Sequence, residues 1–214
     1  VIERVDAAMR DLGAAATLDA EPWLGAAIEA DAAAGRFAGW ATSTVVDENT
    51  GTAILSREVF EALHARARIT ATWPVGNAGL LHVYGYLLST APTPYGLKRE
   101  RWLGADLARA CGLPDDAFVP WSSPRTLLDR ATSAAERLFS RAPLVRERLE
   151  TGVTGVTALA ARGDGSQGTT TALGYALESE DVRRFVTLFP IDDAPAVRRE
   201  LRAGPPRLRW NAAR

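Results

Sequence analysis

The strongest constraint on the fold lies in the last third of the chain. Three runs there, 153–162, 169–178 and 184–191, are rich in β-branched and apolar residues, with only the polar turns GDGSQG and SEDV between them. Strands joined by connections this short pair antiparallel, because a parallel pair needs a crossover of a dozen or more residues. An antiparallel meander is therefore expected. The rest of the chain alternates less regularly. Residues 1–39 carry helical spacing (Ile2, Val5, Met9, Leu12, then Trp23, Leu24, Ala27, Ile28), with Gly13 ending the first helix, Asp19 capping the second and Gly35 closing it. Blocks of helix and strand that are segregated rather than alternating argue for an α+β fold over a doubly wound parallel sheet. The expected organisation is one globular domain, 1–214, with an N-terminal helical segment, 1–36, and an α+β core, 37–214.

Between these blocks the reading is piecemeal. A strand is expected over 37–48, a turn at Asn49-Thr50-Gly51 with 52–55 pairing back, and a helix capped by Ser56. A β-like run, 68–73, stops at Pro74, and a central strand spans 79–90. Helices follow over 98–110, from Ser123-Pro124 along the stripe Leu127, Leu128, Ala131, Ala135, Leu138 and Phe139, and from Pro143 to just before Gly152. Asp193 and Pro195 start a last helix that Gly204 stops, and 207–210 is a candidate edge strand.

Composition excludes several classes. Hydrophobic residues make up 47% and charged residues 24%, enough to build a core without staples. A net charge of −1 does not suit a nucleic-acid surface. Cys111 is the single cysteine, so no intramolecular disulfide or cysteine-rich zinc site is expected. No apolar run approaches the ~18 residues of a membrane span, and the acids within VIERVDAAMRDL do not suit a secretory signal. Cytoplasmic residence is the expectation. The basic residues are arginine throughout except for Lys98, and alanine is abundant, which suggests a GC-rich bacterial coding bias. Against that background a lone lysine is conspicuous.

The candidate site is the stretch 79–102. Read as a strand, it places His82, Tyr84, Tyr86 and Leu88 on one face and only apolar residues or glycine on the other. Tyr95, Lys98, Arg99 and Arg101 follow, and Trp73 precedes it as a candidate pocket wall. An imidazole near neutrality beside two phenols suits general acid–base work, and the cations suit a substrate carboxylate or phosphate. Lys98 and Arg99 lie about 100° apart on a helix, so at most two of the three cations can face one pocket.

Other motifs carry less. Gly163–Gly168 matches G-x-G-x-x-G, but β-favouring residues follow where a phosphate-binding helix would be required, so a hairpin loop is the better reading. The span 47–58 mimics a calcium loop, with Asp47, Asn49 and Glu58 in place, but it lacks the central glycine and a fifth-position ligand. His64 is read as a structural residue late in a helix and Cys111 as an inert thiol. The acidic 1–50 region, nine acids against three arginines, is read mainly as solvated surface.

The functional expectation is a cofactor-independent enzyme of bacterial small-molecule metabolism, specialised metabolism included. It would be a lyase, cyclase, isomerase or hydrolase acting by acid–base chemistry on a carboxylated or phenolic substrate. His82, Tyr84 and Tyr86 would be catalytic, with Tyr95, Lys98, Arg99, Arg101 and Trp73 holding a substrate that bears an anionic group. No metal, nucleic acid or membrane partner is expected, and a homodimer is compatible. The alternatives are a non-catalytic small-molecule-binding or carrier domain, and an interaction module built on the acidic N-terminal helices.

Overall fold

A computed structural model describes residues 1–93, 96–160, 170–180 and 182–209. Helix α1, Ile2–Ala20, is broken at Gly13, whose φ of 81° lies in the left-handed region open to glycine. The break would strand the amide of Ala14, and Glu58 Oε1 accepts it at 2.8 Å. Helix α2, Gly25–Ala33, follows, and Asp19 lies in the last turn of α1 rather than capping α2. Strand β1, Thr42–Thr44, pairs antiparallel with β2, Val75–Asn77, so the strand expected over 37–48 is reduced to three residues behind a 3-10 turn, Arg36–Gly39. Val46 bridges back to Ala53 across the predicted turn. Between the strands runs α3, Arg57–Ala67, where the Ser56 hydroxyl accepts the Val59 amide as an N-cap. The run 68–73 forms only a single bridge, Thr72 to Val75.

The central strand is not a strand. Leu80–Gly85 forms a π-helical turn that continues as the α-turn α4, Tyr86–Leu88. Every residue from Leu80 to Leu88 is buried. A helix enclosed on all sides has no polar stripe to reveal it, and aromatic and β-branched content then mimics a strand. The change in period redistributes the side chains: His82 and Tyr86 now share a face, with ring centroids 4.6 Å apart, while Tyr84 points elsewhere.

A two-residue ribbon, β3 Pro92–Thr93 with β4 Gly96–Leu97, leads into α5, Lys98–Leu103, and α6, Asp106–Ala110. The single helix expected over 98–110 is divided at Gly104. Helix α7, Leu127–Arg141, carries the predicted apolar stripe, all of it buried. Its cap is Thr126, which accepts from the Asp129 amide, rather than Ser123.

The meander is present and has four strands in sequence order: β5 Leu144–Arg148, β6 Thr154–Leu159, β7 Thr171–Ser179 and β8 Val182–Ile191, all antiparallel. The α+β class stands. The helix expected after Pro143 is instead β5, in which Val145 and Glu147 face inward and Arg146 and Arg148 outward. Glu147 sits on the buried face because Arg209 meets it there, at 3.2 and 3.3 Å. That remote partner is what disguised the alternation. One face of the sheet packs Val156, Ala158, Ala176 and Leu188 against α7 and the helical layer. The other packs Leu173, Tyr175, Val186 and Ile191 under α8, Ala194–Ala203. Asp193 caps α8 and Gly204 ends it, as expected. Residues 205–208 and Arg209 follow without regular structure, so no edge strand forms there; Trp210 and the GDGSQG turn lie outside the described residues.

Candidate functional site

His82, Tyr84 and Tyr86 all lie in the interior. The His82 ring is 1% exposed; its Nε2 shares a 2.7 Å hydrogen bond with Ser43, and its Nδ1 has no partner among the described residues. Burial first, and the charge of Lys98 second, push its pKa down to about 3, so the imidazole is neutral at physiological pH. Tyr84 donates to Asp31 at 2.5 Å, and burial together with that carboxylate raises its pKa. Burial likewise raises the Tyr86 phenol, with Asp47 adding to the effect. Two phenols that resist ionisation and a neutral enclosed imidazole form part of a packed core.

The cations separate as helix geometry requires. Arg99 turns away to pair with Asp6 at 2.7 Å, tying α5 to α1. Lys98 and Arg101, three residues apart on α5, both line a cleft of about 390 Å³. Trp73 is elsewhere, edge-on to Phe60 at 5.5 Å, and Tyr95 lies outside the described residues.

The cleft opens where the helical layer meets the end of the sheet. Its walls are the Asp47–Asn49 turn, Thr93, the starts of α5 and α6, and the β8–α8 junction from Phe189 to Glu200. Phe189, Pro190, Ile191 and Val197 supply the apolar part, and Asp106, Asp192 and Asp193 supply exposed carboxylates. Sequence reasoning missed this second wall: Asp193 was legible only as a helix cap, and nothing in its spacing links it to Lys98.

At the inner end, Lys98 Nζ lies 2.7 Å from Asp47 Oδ2 and 4.8 Å from the centroid of the Tyr86 ring. Both members of the pair are buried. Burial pushes Asp47 upward, but the Lys98 ammonium and the amides of Asn49 and Thr50 outweigh it, so its carboxyl stays below the usual range. For Lys98 burial wins over the attraction of Asp47, and its pKa is lowered. The result is an ionised carboxylate beside an amine that gives up its proton more readily than a free lysine.

The calcium-like span does not form a metal loop. Asp47 is committed to Lys98 and to its own turn, and Glu58 to the amide of Ala14. Among the described residues, no group of three or more His, Cys, Asp or Glu side chains is placed to hold a metal ion. His64 is structural but not a cation. Its Nδ1 bonds the Phe60 carbonyl at 2.8 Å, its Nε2 accepts the Asn77 amide at 3.1 Å, and burial lowers its pKa. Burial pushes the Cys111 thiol up to about 12, far from a reactive thiolate. No described helix is long and apolar enough to cross a membrane. Comparison with known proteins adds no assignment: no family model, curated protein or solved structure matches the chain.

Proposed function

We propose that the protein is an enzyme of small-molecule metabolism that binds a carboxylated, amine-bearing molecule in the Lys98 cleft and moves a proton through Lys98. The observation that carries this reading is the Lys98–Asp47 pair. The one lysine in an arginine-rich chain is buried at the inner wall of the cleft, with its proton affinity lowered. A guanidinium cannot lose its proton in a protein, whereas a desolvated lysine can, so lysine at this position has a chemical reason. Arg101 presents a planar guanidinium that suits a carboxylate, and Asp106 and Asp192, which line the same cleft, suit an ammonium or hydroxyl. Proton transfer thus falls to Lys98, at the cleft, rather than to His82 in the core.

The test is a thermal-shift screen of amino-carboxylates, followed by mass spectrometry of the incubated hits. A hit should stabilise the wild type and lose that effect in Arg101→Gln. Lys98→Arg should retain binding and lose turnover. Hits that stabilise Arg101→Gln equally well would remove the cleft from consideration. A second reading, a binding or carrier domain without turnover, is favoured by the close contact of Lys98 with Asp47, which opposes loss of the proton that burial promotes. A bound ligand recovered unchanged after long incubation would support it over catalysis.

A further inference from the structure

At the other end of β8 from the Lys98 cleft, a groove of about 810 Å³ runs between the end of α3 and the start of β8. Ala33, Ala38, Ile69 and Trp40 supply part of its apolar lining. Its charges are unbalanced. The one acid in it, Glu29, is taken by Arg66, which also holds Asp19. Arg68 and Arg184 line the same groove, both are exposed, and neither guanidinium has a hydrogen-bond or ion-pair partner among the described residues. The two come from distant parts of the chain, a helix end and a strand, and the fold brings them to one trough.

Arg68 also occupies an unusual backbone position. It is the C-cap of α3 with φ 57° and ψ 37°, a left-handed conformation that glycine adopts freely and other residues adopt at a cost. A cation there complements the carbonyl end of the helix, but a lysine or arginine one turn earlier would do the same without strain, and Arg66 already stands in that turn. The position therefore points a guanidinium into the groove where helix capping alone would favour glycine.

We propose that this groove is a second ligand site, which takes a phosphomonoester carried on a flat apolar body. Arg68 and Arg184 form charge-assisted, bidentate hydrogen bonds to the dianion, and the alanine–isoleucine lining covers the apolar part. Two guanidiniums that no described acid pairs with match a doubly charged group. The apolar part of the lining gives an organic ester an advantage over inorganic phosphate.

The experiment is calorimetric titration of the full chain with phenyl phosphate, and with inorganic phosphate for comparison. Phenyl phosphate should bind more tightly than inorganic phosphate, and both more weakly as salt is raised. Arg184→Gln and Arg68→Gly should each weaken phenyl phosphate binding at least tenfold. Arg68→Gly is informative because glycine suits the left-handed cap, so the variant should fold at least as stably as the wild type while losing affinity. Arg101→Gln, in the other cleft, should bind phenyl phosphate as the wild type does. Three results would each overturn the proposal: no binding at millimolar phenyl phosphate, binding indifferent to both groove substitutions, or binding lost in Arg101→Gln instead. The first two leave the Lys98 cleft untouched, and the third would move the phosphate to that cleft without deciding whether it also takes amino-carboxylates.

Discussion

Tyr84 donates its hydroxyl to Asp31 across 2.5 Å in the interior, and Thr126 donates to the other oxygen of the same carboxylate at 2.6 Å. Three segments that are remote in sequence, α2, the π-helical turn and the cap of α7, are thereby joined at one buried aspartate. Arg36 adds a third partner at 3.0 Å. A residue that resembles a catalytic phenol in the sequence is therefore a structural tie. Tyr84→Phe should cost about 1.5–3 kcal/mol, the loss of one hydrogen bond to a charged group, and should leave ligand binding in the Lys98 cleft unchanged. Chemical denaturation measures the first and calorimetry the second. Lost activity at unchanged stability would return Tyr84 to the chemistry.

His82 gives the protein an acid-sensitive limb. Its pKa moves from an ordinary 6.5 down to about 3 in the folded chain, through burial and then the charge of Lys98. Between those values the unfolded chain binds the proton and the folded one does not, so stability rises with pH. The contribution is complete above about pH 6.5 and is lost as pH falls toward 3, a range worth roughly 4–5 kcal/mol at most. His64 is lowered in the same direction. Denaturation midpoints measured from pH 7 to pH 4 should fall steeply. His82→Gln should flatten that fall while costing ~1 kcal/mol at neutral pH through the Ser43 contact. An unchanged slope in the variant would mean that the ring is not enclosed.

The parts of the fold that could be read from the sequence are those whose signals are local. Ser56, Asp193 and Gly204 mark helix ends because a cap satisfies amides or carbonyls within a few residues. The β7 and β8 runs could be read because the turn between them is short. The misread parts depend on distant partners. The alternation of β5 is broken by Glu147, which is tolerable only because Arg209 arrives 62 residues later. Leu80 to Leu88 lacks a polar stripe because helices and sheet enclose it on every side. The site divides in the same way. Lys98 stood out by composition, while Arg99 and Arg101 beside it were equal candidates that only the fold separates. Asp47 and the β8–α8 wall reach the cleft only through tertiary structure.

The Lys98–Asp47 pair should be strongly coupled. Lys98→Met leaves a buried carboxylate held by the amides of Asn49 and Thr50 without its cation, and should destabilise by on the order of 3–5 kcal/mol. Asp47→Asn strands the ammonium instead. The double variant should be less destabilised than the sum of the two, by roughly 1–3 kcal/mol, because it leaves no unpaired charge. Because Asp47 stays below the usual carboxylate range, its contribution is present above that range and lost as pH falls through the folded value. Urea denaturation of the four proteins closes the cycle. Additive single losses would show that the two groups act independently.

The last prediction concerns the close approach of β2 to α3. A Cβ on Gly76 would lie 2.3 Å from His64 Nε2 and 2.8 Å from Phe60 Cε2, well inside contact distance. His64 cannot simply move aside, because both of its ring nitrogens are engaged, with the Phe60 carbonyl and the Asn77 amide. Gly76→Ala must therefore shift the strand or break the imidazole bonds. The expected cost is about 1–3 kcal/mol, the range for overpacking a dense interior. Pairing it with His64→Ala makes the test specific: removing the ring should relieve the clash, so the double variant should lose less than the two single losses together. Two-dimensional NMR of the Asn77 amide reports whether its bond to the ring survives. A Gly76→Ala protein as stable as the wild type, with the Asn77 signal unmoved, would place β2 farther from α3 than described.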